Sequence, residues 1–204
     1  RGKGEASYWI PLMLLWTGAR PEEIAQLMVG DFLERSPGDW TVALTDTGMH
    51  PHKQQRSLKT SRKQSGRRTI PVPQTLVDLG LPIYLAFLKS SGEEALFPML
   101  RTRGARGLLF AGWGEWWSNY LRSANVLEPT AYQRQPAREF RHTWSTAARA
   151  SGIPREAMEY IQGHNAAHGT ANEGYGDLSP LGRHIADLRF EGLDLHCVRP
   201  WQPV

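Results

Sequence analysis

Cysteine is almost missing from this chain. Cys197 stands alone, which excludes an internal disulfide framework and a cysteine-based zinc site and fits a reducing compartment. Long apolar runs are missing too. The longest, Tyr8 to Trp16, is too short to span a bilayer and contains Pro11, so it reads as a buried helix. No signal peptide is visible, there is no internal repeat or low-complexity block, and no carboxylate cluster calls for a metal. Acid is absent between Lys53 and Arg68, a stretch holding seven Lys or Arg. What is present is a chain of 204 residues, 40% apolar with eight tryptophans. That is enough for one good-sized domain or two small ones, and it excludes a disordered tail.

The net charge of +4 is only modestly basic, so its distribution matters more than its size. A basic run is as often a solvated face as anything else. This one lies between strand-like segments, which favours a phosphate-contacting hairpin that includes Arg62, Lys63, Arg67 and Arg68.

Along the chain, residues 8–16 predict a helix that ends at Thr17-Gly18-Ala19. Arg20 stands before Pro21-Glu22-Glu23, a helix start with proline in the first turn and acids matching the dipole. Ile24, Leu27 and Met28 follow at core spacing. Taken alone, Arg20 is better read as the partner of a surface carboxylate than as an anion ligand. Trp40 to Leu44 alternate like a half-buried strand. Arg56-Ser-Leu-Lys59-Thr60, a turn, and Arg67 to Val72 complete an expected antiparallel sheet with a basic hairpin. From Pro73 to Ser90 the pattern is helical, broken at Gly80-Leu-Pro82, with Leu76, Leu79, Ile83, Leu85, Phe87 and Leu88 offered to the core. Arg101 to Arg106 reads as an exposed loop. Trp113, Trp116, Trp117 and Tyr120 mark an amphipathic helix, and its aromatic stripe fits a core role better than a base-stacking platform.

Chemistry-bearing residues concentrate between Arg138 and Tyr175. The predicted helix 137–150 places Arg138 and Arg141, three apart, on one face. Pro154 starts the next helix, and Gly163 stops it just before His164. Residues 165–174 have little to bury and make a tether for Tyr175. A guanidinium pair suits bidentate phosphate binding, and a tyrosine beside it can act as a nucleophile toward that phosphate. Ser179-Pro180 opens a last helix with Leu181, Ile185 and Leu188 inward.

These pieces together resemble the tyrosine recombinases, the phage-integrase family. The resemblance rests on Thr17-Gly-Ala-Arg20-Pro-Glu-Glu23-Ile, Leu58-Lys59-Thr60 leading to Arg68-Thr-Ile70-Pro71, Phe140-Arg141-His142-Thr143, Gly163-His164 and Gly174-Tyr175-Gly176. Their order matches that family's catalytic domain over nearly the whole chain. The resemblance implies an α+β, mainly α fold with a small antiparallel sheet, forming one catalytic domain over residues 1–204. It also implies a further N-terminal helical domain in a longer protein, which this chain, starting at Arg1, does not contain.

The same resemblance implies site-specific DNA strand exchange. Arg20 and Arg141 hold the scissile phosphate, Lys59 is the general acid for the leaving 5′-hydroxyl, His164 matches the second histidine, and Tyr175 forms a 3′-phosphotyrosine. Neither metal nor ATP nor any other cofactor is implied. The partners implied are double-stranded DNA carrying a specific site and further protomers in a tetrameric synapse, in the cytoplasm of a bacterial or phage-bearing cell. DNA affinity should be salt-dependent, each phosphate contact adding about 0.9 to the log–log slope. Arg138 stands where the family usually has histidine; it can bind a phosphate but cannot act as a general base. The hairpin is a few residues longer than usual, which leaves Lys63 as an alternative to Lys59. His142 reads as a DNA-side residue supporting the site, and His168 as solvated. The tail after Leu188 is expected to dock onto a neighbour. Two other readings stay open: a catalytically degenerate DNA-binding relative, and a type IB topoisomerase-like enzyme.

Overall fold

The computed structural model describes residues 3–53, 55–58, 66–127, 136–164 and 179–203. Among them the chain is α+β and mainly helical, with one small sheet. Helix α1 (Ala6–Thr17) is apolar almost all round, and such a helix must be covered on every side. Accordingly Trp9, Ile10, Met13 and Leu14 are fully buried. The helix packs against α2 (Pro21–Ala25), α3 (Gln74–Asp78), α5 (Phe110–Ser123) and α6 (Pro136–Ala150). Each large apolar side chain buried this way contributes about 2 kcal/mol. Helix α2 stops at Ala25, so Leu27 reaches the core from beyond the helix and Met28 is only half-buried.

The sheet is antiparallel in the order β1 (Phe32–Ser36), β2 (Asp39–Leu44), β3 (Arg68–Pro71). Val42 pairs with Ile70 and Leu44 with Arg68. Strand β1 was not expected: Phe32-Leu-Glu-Arg-Ser lies at the edge, mostly exposed, and carries little alternation. The expected strand at Arg56 is not met, because residues 55–58 are irregular; β1 takes the place in the sheet instead. Helices α7 (Arg155–Gln162) and α8 (Ser179–Asp187) pack on β3, with Leu181, Ile185 and Leu188 buried as expected.

The break at Gly80 separates α3 from α4 (Leu81–Ser90). In α4 it is Tyr84 that is buried, whereas Ile83 and Phe87 are exposed, a correction to their expected core role. The C-terminal segment explains part of this. Trp201 lies against Tyr84 and Phe87, donates its indole N–H to Glu5 Oε2 at 2.6 Å and is bonded through its backbone N–H to Leu79. Tyr8 adds a bond to the Arg199 carbonyl. At residues 199–201 the tail therefore docks onto its own chain, where a neighbour had been expected. Trp113 is fully buried and Trp116 and Trp117 are half-buried, while Tyr120 at the end of the stripe is 50% exposed. No helix among the described residues is long and apolar enough to cross a membrane.

Candidate anion site

Three of the expected site residues converge where the C-terminal ends of α1 and α7 meet α6. Helix α1 ends at Gly18, whose φ of 59° is left-handed. A Cβ there would stand 2.6 Å from the Trp144 ring, so only glycine allows α6 to lie this close. One turn before Trp144 on α6, Arg141 points its Nη1 to the Gly18 carbonyl at 2.6 Å. Its Nη2 donates to the Gln162 carbonyl at 2.7 Å and to His164 Nε2 at 2.8 Å. Both carbonyls belong to helix C-termini, where unpaired oxygens and the helix dipole favour a cation.

His164 is placed by the end of α7. Gly163 is left-handed, with φ 63°. The His164 N–H bonds Glu159 and the Gly163 N–H bonds Tyr160, the two bonds of a Schellman stop. A guanidinium only donates, so Nε2 of His164 accepts, and the ring is neutral with its proton on Nδ1. Its pKa lies below the ordinary value, first through partial desolvation and then through Arg141, Arg20 and Arg68 nearby; Glu159 opposes this.

Arg20 is the residue before α2 and is held twice by Glu23. Its backbone N–H bonds Oε2 at 3.0 Å, and its Nη1 bonds Oε1 at 2.9 Å. Arg20 does pair with a carboxylate, but Glu23 is buried rather than on the surface, and the guanidinium keeps other N–H groups without a partner among the described residues. Burial would raise the Glu23 carboxyl; Arg68 and Arg20 override it and hold the group below its usual range. Arg141 is lowered to about 10, by burial first and then by repulsion from Arg20 and Arg68, against the pull of Glu23. It stays charged at neutral pH. Three guanidiniums therefore face one carboxylate. The excess positive charge, with N–H groups left over on Arg20 and Arg141, suits an anion with several oxygens.

Arg68 corrects the expectation of a DNA-contacting residue. It is buried and bonded to Glu23 Oε2 at 2.8 Å, the Ile161 carbonyl at 2.7 Å and the Gly66 carbonyl at 2.9 Å. The signal was available: on β3 it shares a face with Ile70, which is fully buried. Of the rest of the basic run, Lys53 and Arg56 are likewise buried, whereas the Arg67 side chain is 50% exposed. Lys53 is buried and donates Nζ–H to Glu22 at 2.6 Å, Gln26 at 3.2 Å and Ser57 at 3.0 Å. Buried Arg56 forms a two-pronged pair with Asp31 at 3.0 and 2.5 Å, and Arg67 bonds Asp46. Glu22 also accepts the N–H groups of Leu109 and Phe110 at the start of α5.

Arg138 and His142 are exposed on α6, and their side chains make no hydrogen bond among the described residues. Lys59, Arg62, Lys63, His168 and Tyr175 lie outside the described residues. No group of three or more His, Cys, Asp or Glu able to hold a metal occurs among the described residues. Compared with protein-family models, with curated proteins and with solved structures, the chain matches none.

Proposed function

We propose that this chain is the catalytic domain of a tyrosine recombinase, cutting and rejoining DNA strands at a specific site. The observation that supports it best is the meeting of Arg20, Arg141 and His164, which lie up to 144 residues apart in sequence, in one cluster with surplus positive charge. Two guanidiniums set around a phosphodiester stabilise the charge that grows on its oxygens as a fifth ligand arrives. In this reading Tyr175 Oη forms the new bond to phosphorus while the bond from phosphorus to the 5′-oxygen breaks. The leaving oxygen takes its proton from Lys59, with Lys63 as the alternative. The phenol has an ordinary pKa near ~10 and must lose its proton; neutral His164 can accept it at Nε2, giving up the bond from Arg141 as it does so. A 5′-hydroxyl from another strand then reverses the step, so the phosphotyrosine conserves the bond energy. Arg138, one turn before Arg141 on α6, adds a fixed positive charge toward the DNA. The partners are double-stranded DNA and further copies of the protein on it.

A second reading, a DNA-binding relative without cleavage activity, is favoured by one feature. Arg138 occupies the place where the resembled family carries histidine, and arginine cannot move a proton at neutral pH. The two readings separate on duplexes whose scissile linkage is a 5′-bridging phosphorothiolate, embedded in randomised flanking sequence. Sulfur leaves without a general acid, so the first reading expects a protein–DNA adduct on denaturing gels. Tight, salt-sensitive binding with no adduct supports the second.

A further inference from the structure

Arg68 is bonded on all three sides of its guanidinium, and two of its three acceptors adjoin different parts of the anion site. Through Nη2 it holds Glu23 Oε2, while the other oxygen of the same carboxylate holds Arg20 Nη1. Through Nε it holds the Ile161 carbonyl. The next carbonyl, that of Gln162, holds Arg141, and His164 follows two residues later. Through Nη1 it holds the Gly66 carbonyl. The packing is just as close: a Cβ on Gly163 would stand 2.5 Å from Arg68 Nη1. With its side chain 2% exposed, Arg68 has no surface to offer DNA.

We propose that Arg68 is a positioning residue, which fixes Arg20 relative to Arg141 and His164 by bonding at once the carboxylate that carries one and the helix end that carries the others. It rests on the reading of this cluster as a phosphate site. Lysine would keep the charge but is a point donor, unable to span the three acceptors as the planar fork does. The interior location also means that removing Arg68 alone takes the buried cation from Glu23 Oε2 and leaves the carboxylate to Arg20, so a charge-neutral pair serves as a second variant.

The test uses the full chain as Arg68→Lys, and as Arg68→Met combined with Glu23→Gln, each melted first so that results are expressed per folded molecule. Inorganic phosphate is titrated while the His164 ring is followed by nitrogen-15 NMR. Folded Arg68→Lys is expected to lose affinity about tenfold, the scale on which outer partners of a ligand set act. Unchanged phosphate affinity in that variant overturns the proposal, as does a wild-type chain that binds no phosphate.

On phosphorothiolate duplexes the rate of adduct formation per folded molecule is expected to fall about tenfold or more, with the salt slope of DNA binding unchanged. A slope reduced by about 0.9 would make Arg68 a phosphate contact and overturn the proposal. A loss of rate that merely follows the unfolded fraction overturns it too. If the wild type forms no adduct yet binds phosphate in an Arg68-dependent way, strand exchange fails as the function while the positioning role stands.

Discussion

Nη2 of Arg141 lies 2.8 Å from Nε2 of His164. Because the guanidinium can only donate, this contact exists only while the imidazole is neutral. An anion bound here would therefore be linked to the proton on His164. An anion lying against Arg20 and Arg141 offsets the cations that depress the His164 pKa.

Phosphate binding is accordingly expected to raise the His164 pKa, and lower pH to strengthen phosphate binding in the range where His164 titrates. Ring NMR titrations with and without inorganic phosphate measure this. A pKa that stays put at saturating phosphate would mean that the anion sits elsewhere.

Gly18 and Gly38 are both left-handed, with φ of 59° and 79°, but only Gly18 has a ring against it. Gly38→Ala is expected to cost about 1 kcal/mol, the strain of that conformation alone. Gly18→Ala adds overpacking against Trp144 and is expected to cost about 3 kcal/mol or more. It should also displace the carbonyl that holds Arg141 and so weaken phosphate binding. Denaturant unfolding of the two variants makes the comparison; equal costs would mean that α6 can move away freely.

Lys53→Met leaves the Glu22 carboxylate without its buried partner and is expected to destabilise by about 3 kcal/mol. The exposed pair Arg103–Glu115, whose side chains are 59% and 66% exposed, serves as the contrast. Arg103→Ala should change stability by less than about 1 kcal/mol. Chemical denaturation separates the two; similar effects would argue that Lys53 is solvated.

Much of the helical framework could be read from the sequence because its signals are local. Gly163 marked the stop that presents His164, and the Arg138–Arg141 spacing placed both residues on α6. The inward members of the basic run could not be told from the outward ones because their partners are remote. Asp31, Glu22 and Glu23 lie 25, 31 and 45 residues before the bases they pair with, and a count of charges along the chain does not contain them. Alternation through Arg68, Ile70 and Val72 was the usable clue to an inward arginine. Strand β1 had no such clue, since an exposed edge needs no apolar alternation. Trp201 sits in a short proline-flanked tail without periodicity, and its docking depends on partners at Glu5, Leu79 and Tyr84 that adjacency in sequence does not reveal.

His50 predicts a pH effect separate from the anion site. It is buried, its Nδ1 accepts the His52 N–H at 3.1 Å, and its pKa falls to about 4 through burial first and then through His52, Arg56 and Lys53. The folded pKa is below the unfolded value, so the unfolded chain binds the extra proton. Stability is full above about pH 6.5 and declines as pH falls toward 4, by at most about 3 kcal/mol. Glu23, also depressed, acts in the same direction at lower pH. Unfolding free energies from pH 4 to 7 should flatten in His50→Gln; an unaltered slope would assign the effect to other groups.

The most direct measurement is the identity of the residue joined to DNA. Protein trapped on phosphorothiolate duplexes would be digested to peptides and the nucleotide-bearing residue located by mass spectrometry. Strand exchange through this site requires a 3′-linked nucleotide on Tyr175, lost in Tyr175→Phe and strongly reduced in Arg20→Ala and Arg141→Ala. Attachment at another residue, or an adduct that survives Tyr175→Phe, would contradict it.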